Sequence, residues 1–183
     1  MGGDRAPTQV IEGVCLAVRD LNVDIILVGD ESVLRRLLLD SASDIPSAIS
    51  FRHAPQQVEM HEPASSVARK KKDSSIWIAT ELVRNGEAEA VISAGNTGAT
   101  MVSAFFLLGL LKGIDRPAIA ATLPTLNGQA IMLDVGATVD CLPEQLYQFA
   151  LILQDCYYMY LLLRSYLQKN RLQLHYNYIL LDY

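Results

Sequence analysis

The chain has 183 residues, 51% of them hydrophobic, which is enough length and apolar content for one domain with a core of its own. Its 15 basic and 20 acidic residues give a formal net charge of −5, and only 19% of the residues are charged. This balance argues against a disordered, solvated chain and excludes a broad basic surface for nucleic acid, so any anion site must be local.

Helical and strand patterns alternate along the chain and predict an α/β layer fold. The predicted elements, in chain order, are a helix capped by Thr8, a strand over 24–28, a helix over 31–39, a strand over 49–53, a helix over 76–83, a strand over 90–93, a helix over 99–111, two strands over 118–123 and 130–134, and a helix from Pro143. The dipeptide Asn127-Gly128 predicts that the last two strands form an antiparallel hairpin. The connection through Pro55 and Pro63 is expected to be irregular.

Three glycine-containing junctions follow predicted strands and precede predicted helices. They are Val28-Gly29-Asp30, residues 93–98 and residues 134–137. In an open parallel sheet such loops meet at the carboxyl edge, where ligands bind. We therefore expect any small-molecule site to lie at these junctions.

The middle junction carries the most chemical information. Gly95 and Gly98 leave backbone N–H groups accessible, while Ser93, Asn96 and Thr97 add short polar side chains beside a helix start. This arrangement suits a phosphate group, although a tight strand-to-helix turn accounts for the glycines equally well. No lysine follows Gly98 and the spacing is not Gly-x-Gly-x-x-Gly, so nucleotide binding is unsupported.

The basic run 69–72 is a second candidate anion site. Arg69, Lys71 and Lys72 would attract a phosphorylated substrate or an acidic protein, but a solvated helix face or loop is the alternative. The three cysteines are odd in number and far apart, and the histidines are widely separated, so neither a metal site nor a cysteine nucleophile is predicted. The cysteine usage and the absence of a signal-like apolar segment fit a reduced, cytosolic compartment.

Several sequence blocks occur in an order that resembles a known family. The blocks are Met1-Gly2-Gly3-Asp4, Ala6-Pro7, Val28-Gly29-Asp30, residues 71–75, residues 93–99, residues 112–118 and residues 134–137. Together they closely resemble the PlsX family of bacterial phosphate acyltransferases over residues 1–151. Residues 152–183 do not resemble it, and seven of the eight tyrosines lie within 156–183. We therefore divide the chain into a family-like part and an atypical Tyr/Leu-rich tail.

The resemblance implies an enzyme that forms acyl phosphate from long-chain acyl-[acyl-carrier-protein] and orthophosphate, in phospholipid biosynthesis, without a cofactor or metal. It implies a three-layer α/β/α sandwich like that of the isocitrate and isopropylmalate dehydrogenases, here incomplete, and a homodimer. It also implies a cytoplasmic protein able to associate peripherally with the membrane, where a glycerol-phosphate acyltransferase would use the product.

The resemblance also suggests roles for individual residues. The catalytic candidates are Asn96, Thr97 and Asp134, and the candidates for phosphate or substrate binding are Ser93, Gly95, Asn96, Thr97, Gly98, Gly136, Arg69, Lys71 and Lys72. The expected reaction is direct attack of a phosphate oxygen on the thioester carbonyl, with hydrogen-bond donors stabilising the oxyanion. Arg5 and Thr138 depart from the residues usual in the family.

Two alternative functions remain open. Family members begin with a strand before the position of Met1 and continue well beyond this chain, so a catalytically inactive truncated or frameshifted fragment is one alternative. A phosphotransacetylase-like enzyme acting on short acyl-coenzyme A is the other. For the tail, a mis-joined reading frame is the favoured interpretation, and a membrane-associating helix over 156–163 is its rival.

Overall fold

The computed structural model describes residues 3–21, 23–41, 44–126, 128–135 and 140–169, with side chains through Tyr157. The helices and strands in chain order are α1 (Thr8–Leu21), β1 (Ile25–Gly29), α2 (Glu31–Ser41), β2 (Ile49–His53), α3 (Ser65–Lys70), α4 (Ser75–Arg84), α5 (Thr97–Leu108), β3 (Ala120–Thr125), β4 (Gly128–Leu133) and α6 (Pro143–Lys169). They form two compact units, Met1–Gly109 and Leu110–Tyr183. The predicted mixed α/β fold is confirmed.

A parallel strand pair organises the first hydrophobic core of the Met1–Gly109 unit. Strands β1 and β2 pair from Ile25 opposite Ile49 to Gly29 opposite His53, and α1 and α2 pack with them. The apolar residues of α1 recur at helical spacing and therefore share one face. The buried members of this core are Ile11, Leu27, Leu34, Leu38 and Ile49. Cys15 packs against them.

The first predicted junction is occupied by a helix cap. The Oδ1 atom of Asp30 accepts hydrogen bonds from the Ser32 hydroxyl at 2.6 Å, the Ser32 amide at 3.0 Å and the Val33 amide at 3.3 Å. These bonds, led by that of the Ser32 hydroxyl, lower the pKa of Asp30. The carboxylate thus satisfies donors that the start of α2 would otherwise leave unpaired.

A second core of the same unit joins α3, α4 and α5. Its buried members are Val58, Val67, Ile76, Trp77, Ala99 and Leu107. Helix α4 ends as predicted, because Gly86 adopts a φ of +73° just after it. Helix α5 ends at Leu108 rather than at residue 111 as predicted, because Gly109 follows it at a φ of +81°. Helix α3, which ends with the first two residues of the basic run, was not among the predicted elements.

The predicted strand over 90–93 is wrong. Residues 90–94 have no regular secondary structure, and within the described ranges no strand pairs with them. Ile92 is 92% exposed, so its β-branched side chain buries little apolar surface. Strand propensity reflects packing against neighbouring strands, and this segment lacks such a neighbour among the described residues.

The Leu110–Tyr183 unit contains the predicted hairpin and the last helix. Strands β3 and β4 are antiparallel, with Ala120 opposite Leu133, which confirms the pairing. Asn127 of the predicted turn lies outside the described residues. Helix α6 begins at Pro143 as predicted, and the Oε1 atom of Gln145 accepts the amide of Leu142 at 2.8 Å, which is one half of a capping box.

Helix α6 runs from the family-like region into the predicted tail. It continues to Lys169, while residues 170–183 lie outside the described residues. The division at residue 151 and the origin of the tail stay predictions. No helix in the described part of the chain combines the length and the apolar content needed to cross a membrane.

We expect the core position Leu38 to differ sharply from its neighbour Leu39. The Leu38 side chain is fully buried, whereas Leu39 is 54% exposed on the same helix. Leu38→Ala should lower the free energy of unfolding by about 3 kcal/mol, because it leaves a cavity. Leu39→Ala should change it by less than about 0.5 kcal/mol. Urea denaturation followed by circular dichroism measures both; equal effects would contradict this assignment of the core.

Candidate functional site

Asn96 caps the amino terminus of α5, at the middle junction. Its Oδ1 atom accepts a hydrogen bond from the amide of Ala99 at 2.9 Å. Its backbone carbonyl accepts the amide of Thr100 at 3.0 Å and the Thr100 hydroxyl at 3.2 Å. An asparagine at this position satisfies one of the unpaired donors of the first helical turn and fixes the direction in which the helix starts.

The other half of the Asn96 carboxamide binds a distant part of the chain. Its Nδ2 atom donates to the backbone carbonyls of Glu59 at 3.0 Å, Met60 at 3.2 Å and Glu62 at 3.0 Å. Glu59 to Glu62 form a turn, closed by a hydrogen bond from the Glu62 amide to the Glu59 carbonyl at 3.1 Å. We call residues 59–62 the carbonyl turn. Because an NH₂ group has two hydrogens for these three acceptors, at least one hydrogen is shared.

Lys71 holds the same turn through its ammonium group. Its Nζ atom donates to the carbonyl of Gln57 at 2.8 Å and to Oε1 of Glu62 at 2.5 Å. The same Oε1 atom accepts the amide of Glu59 at 3.0 Å. The Lys71 ammonium, followed by the Glu59 amide, lowers the pKa of Glu62. Two side chains, Lys71 and Asn96, therefore converge on one four-residue turn.

Two glycines allow the chain to approach this junction closely. A Cβ atom on Gly98 would lie 2.9 Å from the Cβ of Ala64, and a Cβ on Gly3 would lie 2.6 Å from the carbonyl oxygen of Ala94. Both distances are shorter than van der Waals contact allows. Gly98 thus lets the first turn of α5 pack beside the start of α3, and Gly3 lies against the backbone that leads into the junction.

The first turn of α5 retains two backbone donors. Among the described residues, no acceptor binds the N–H groups of Thr97 and Gly98. The amide of Gly95, in contrast, donates to the Ser93 hydroxyl at 3.2 Å. Thr97 is exposed and its hydroxyl has no partner within the same residues. The start of α5 therefore presents two N–H groups and one hydroxyl, in the positive field of the helix dipole.

The remaining basic candidates differ in their surroundings. Arg69 lies exposed in the last turn of α3, and the Nζ atom of Lys72 lies 5.8 Å from the centre of the Trp77 ring. Lys71 has the internal partners described above. The basic run is thus divided between solvent, an aromatic ring and an ion pair.

The third junction belongs to the Leu110–Tyr183 unit. Asp134 follows an antiparallel strand rather than a parallel one and has a φ of +59°. Its Oδ2 atom lies 4.0 Å from the Sγ atom of Cys141. Gly136 and Thr138 lie outside the described residues. Within the ranges that the structure describes, no three His, Cys, Asp or Glu residues are grouped so as to hold a metal ion.

Sequence reasoning missed the carbonyl turn. Glu62 and Gln57 lie in a connection that was expected only to be irregular, and neither periodicity nor a motif singles them out. The one available signal was Lys71, which the sequence presented as part of an anion site. Its pairing with Glu62 depends on how residues 57–74 fold back on themselves, which local patterns do not encode.

Comparison with known proteins finds one family and many relatives. The family model described as "Fatty acid synthesis protein" matches residues 1–159. A protein named phosphate acyltransferase from Geobacter sulfurreducens is 52% identical over 152 residues, which are 83% of this chain and 44% of that protein. Proteins of the same name from Geotalea daltonii and Desulforamulus reducens are 52% and 49% identical, again over 83% of this chain and over 44% and 45% of theirs. The chain therefore spans less than half the length of these curated relatives.

Replacing Gly98 by alanine tests the close packing at the start of α5. Gly98→Ala should lower the free energy of unfolding by about 1–3 kcal/mol, because the new methyl group overlaps Ala64. Gly13 in α1 is a matched control, since a Cβ there meets nothing within 4 Å. Gly13→Ala should raise stability by about 0.5–1 kcal/mol through better helix propensity. Thermal or urea unfolding measures both; a stabilising Gly98→Ala would contradict the packing.

Acidification should remove the contribution of Glu62 to stability. Its pKa in the folded protein is below the ordinary value of 4.5, so its stabilising effect is complete above that value and is lost as the pH falls through the folded pKa. The difference in unfolding free energy between the wild type and Glu62→Gln should therefore be constant above about pH 6 and should shrink toward about pH 3. Glu12→Gln on the exposed side of α1 is the control. A difference that does not change with pH would refute the role of the carboxylate.

Proposed function

We propose that this chain, which belongs to the family of fatty acid synthesis proteins, is part of a phosphate acyltransferase. The proposed enzyme forms acyl phosphate from long-chain acyl-[acyl-carrier-protein] and orthophosphate. The name of the relatives supports the reaction class. The carrier-bound, long-chain donor comes from the family resemblance carried by residues 93–99 and 71–75. The product is an activated acyl group for phospholipid biosynthesis.

The observation that carries this proposal is the pair of N–H donors at the start of α5 that bind no acceptor among the residues the structure describes. Thr97 and Gly98 point their amides out of the first turn, where the helix dipole favours an anion, and the Thr97 hydroxyl adds a third donor. Orthophosphate bound there would keep one oxygen free for attack. Asn96 keeps its carboxamide for the helix cap and the carbonyl turn, so we assign it to positioning the donors.

The proposed reaction needs no enzyme nucleophile. A phosphate oxygen attacks the thioester carbonyl and forms the new carbon–oxygen bond. The tetrahedral intermediate then collapses with cleavage of the carbon–sulfur bond. The departing carrier thiolate takes up the proton that phosphate loses, so acyl phosphate and free thiol are the products. Donors at the α5 start would hold phosphate in position, which supplies the entropic part of the rate enhancement.

The basic side chains support recognition of an acidic partner. Arg69 and Lys70 are exposed in the last turn of α3, and their positive potential would guide acyl carrier protein and phosphate toward the site. Asp134 and Gly136 are proposed to shape the substrate cleft, on the strength of the resemblance alone.

The family also guides proposals about the whole protein. We extend the proposal to a three-layer α/β/α sandwich like that of isocitrate and isopropylmalate dehydrogenases. The parallel pair β1–β2 and the helices α1 and α2, which share one hydrophobic core with it, would supply part of the sheet and one of its two helical layers. A cytoplasmic homodimer that associates peripherally with the membrane, next to a glycerol-phosphate acyltransferase, is the corresponding proposal for assembly and location.

An assay of phosphate-dependent thioester consumption tests the function. Two proteins are compared: this chain, and a chimera in which its residues 1–151 replace the aligned segment of the Geobacter sulfurreducens relative. We expect the chimera to release free carrier thiol from acyl-[acyl-carrier-protein] only when phosphate is present. A folded chimera without phosphate-dependent turnover, beside an active parent, would overturn the proposal. A preference for short acyl-coenzyme A would favour the phosphotransacetylase-like alternative.

Removing the Thr97 hydroxyl tests the phosphate site itself. Thr97→Val in the chimera should raise the KM for phosphate about tenfold, because it deletes one hydrogen bond to a charged group. Thr8 is the matched control, since it is also an exposed threonine at the first position of a helix. Thr8→Val should leave the KM unchanged. Equal phosphate KM values for both variants would exclude Thr97 from the site.

A further inference from the structure

The ion pair between Lys71 and Glu62 is the most shielded one among the described residues. The two side chains are 27% and 20% exposed, whereas the other three described pairs have side chains at least 39% exposed. Exposed pairs contribute little to stability because solvent and salt screen them. Shielding strengthens this pair, and both of its members are tied to further groups of the same segment.

The hydrogen bonds of this pair lie within the carbonyl turn or join it to Lys71 and Gln57. Lys71 donates to Gln57 just before the turn and to Glu62 at its end, and Glu62 accepts the amide of Glu59 at its start. These hydrogen bonds fix the backbone conformation of the turn. Its carbonyls at 59, 60 and 62 then point together at the Asn96 Nδ2 atom.

Asn96 links the carbonyl turn to the backbone N–H groups at the start of α5. The same carboxamide that binds the turn also accepts the amide of Ala99, so the turn sets the rotation of the cap. The next donors in the same helical turn are the amides of Thr97 and Gly98, for which the described part of the chain offers no acceptor. Functional donors must be held within about half an ångström of their productive positions, so a loosened turn would weaken a site that it does not touch.

We propose that Lys71 is a positioning residue: through Glu62 and the carbonyl turn it orients Asn96, and thereby the phosphate-binding amides of Thr97 and Gly98. This inference rests on the proposed function for its effect on phosphate, but not for its effect on the helix cap. It changes the interpretation of the basic run, because Lys71 acts through an internal carboxylate rather than by contact with the anion.

The two roles of Lys71 predict opposite effects of removing Glu62. If Lys71 positions the site, Glu62→Ala and Lys71→Met both remove the Lys71–Glu62 ion pair, and both weaken phosphate binding. If Lys71 instead contacts phosphate, Glu62 competes with the anion for the ammonium group, and Glu62→Ala leaves the KM for phosphate unchanged or lowers it. The sign of the Glu62→Ala effect therefore separates the two roles.

The first measurement is hydrogen exchange of the Ala99 amide in the full chain, in Lys71→Met, Glu62→Ala, the double variant and Lys71→Arg. Each single substitution should speed exchange about fivefold or more, because the cap loses its support. The Ala99 amide of the double variant should exchange no faster than that of either single variant, since both substitutions remove the same ion pair. Lys71→Arg should restore most of the protection. Lys70→Met, at an exposed neighbouring lysine, is the control and should leave the exchange rate of the Ala99 amide unchanged.

The second measurement is the split between KM for phosphate and kcat in the chimera described above. Lys71→Met and Glu62→Ala should each raise the KM for phosphate about tenfold, with a smaller change in kcat. If a single variant does not fold, the milder Glu62→Gln takes its place in both measurements. Unchanged Ala99 exchange in folded variants, or an unchanged phosphate KM in Glu62→Ala, would overturn the inference. A wild-type chimera without phosphate-dependent turnover would refute the proposed function only, since the Ala99 exchange still tests the positioning role.

Discussion

The carboxamide of Asn96 is the group on which the arrangement of the candidate site depends. One atom caps α5 and the other binds three carbonyls of a turn more than thirty residues earlier. A single side chain thereby joins a helix start to the irregular connection between β2 and α3. Asparagine suits this role because it carries an acceptor and two donors on one rigid plane, whereas aspartate lacks the donors and serine lacks the reach.

The basic run of this acidic chain is divided among different surroundings. The run 69–72 does not act as one patch: Lys71 is used internally against Glu62, Lys72 lies over Trp77, and Arg69 remains in solvent. An anion at the α5 start would therefore depend chiefly on backbone amides, which carry no net charge. Such a site is compatible with a formal net charge of −5.

The elements predicted correctly are those whose signals are local. The amphipathic pattern of α1, the strand–Gly–Asp–helix step into α2, and the glycine after α4 each depend on residues within a few positions of one another. The predictions of a strand over 90–93 and of a helix continuing to residue 111 were wrong for different reasons. A strand needs a partner that the local pattern cannot supply, and Gly109, which lies inside the predicted helix 99–111, ends α5 early.

By itself, the amino-acid sequence determined the family and the α/β class, and it indicated the junction 93–98 as a candidate site, because ordered motifs and hydrophobic periodicity are properties of the chain. Only the tertiary structure decided which N–H groups of that junction have no acceptor among the described residues. The partners of Asn96 and Lys71, namely the carbonyls of the turn and the Glu62 carboxylate, come from a segment without a periodic pattern. Hydrogen bonds between such segments depend on the backbone path, which is set by the packing of α3, α4 and α5 rather than by residue spacing.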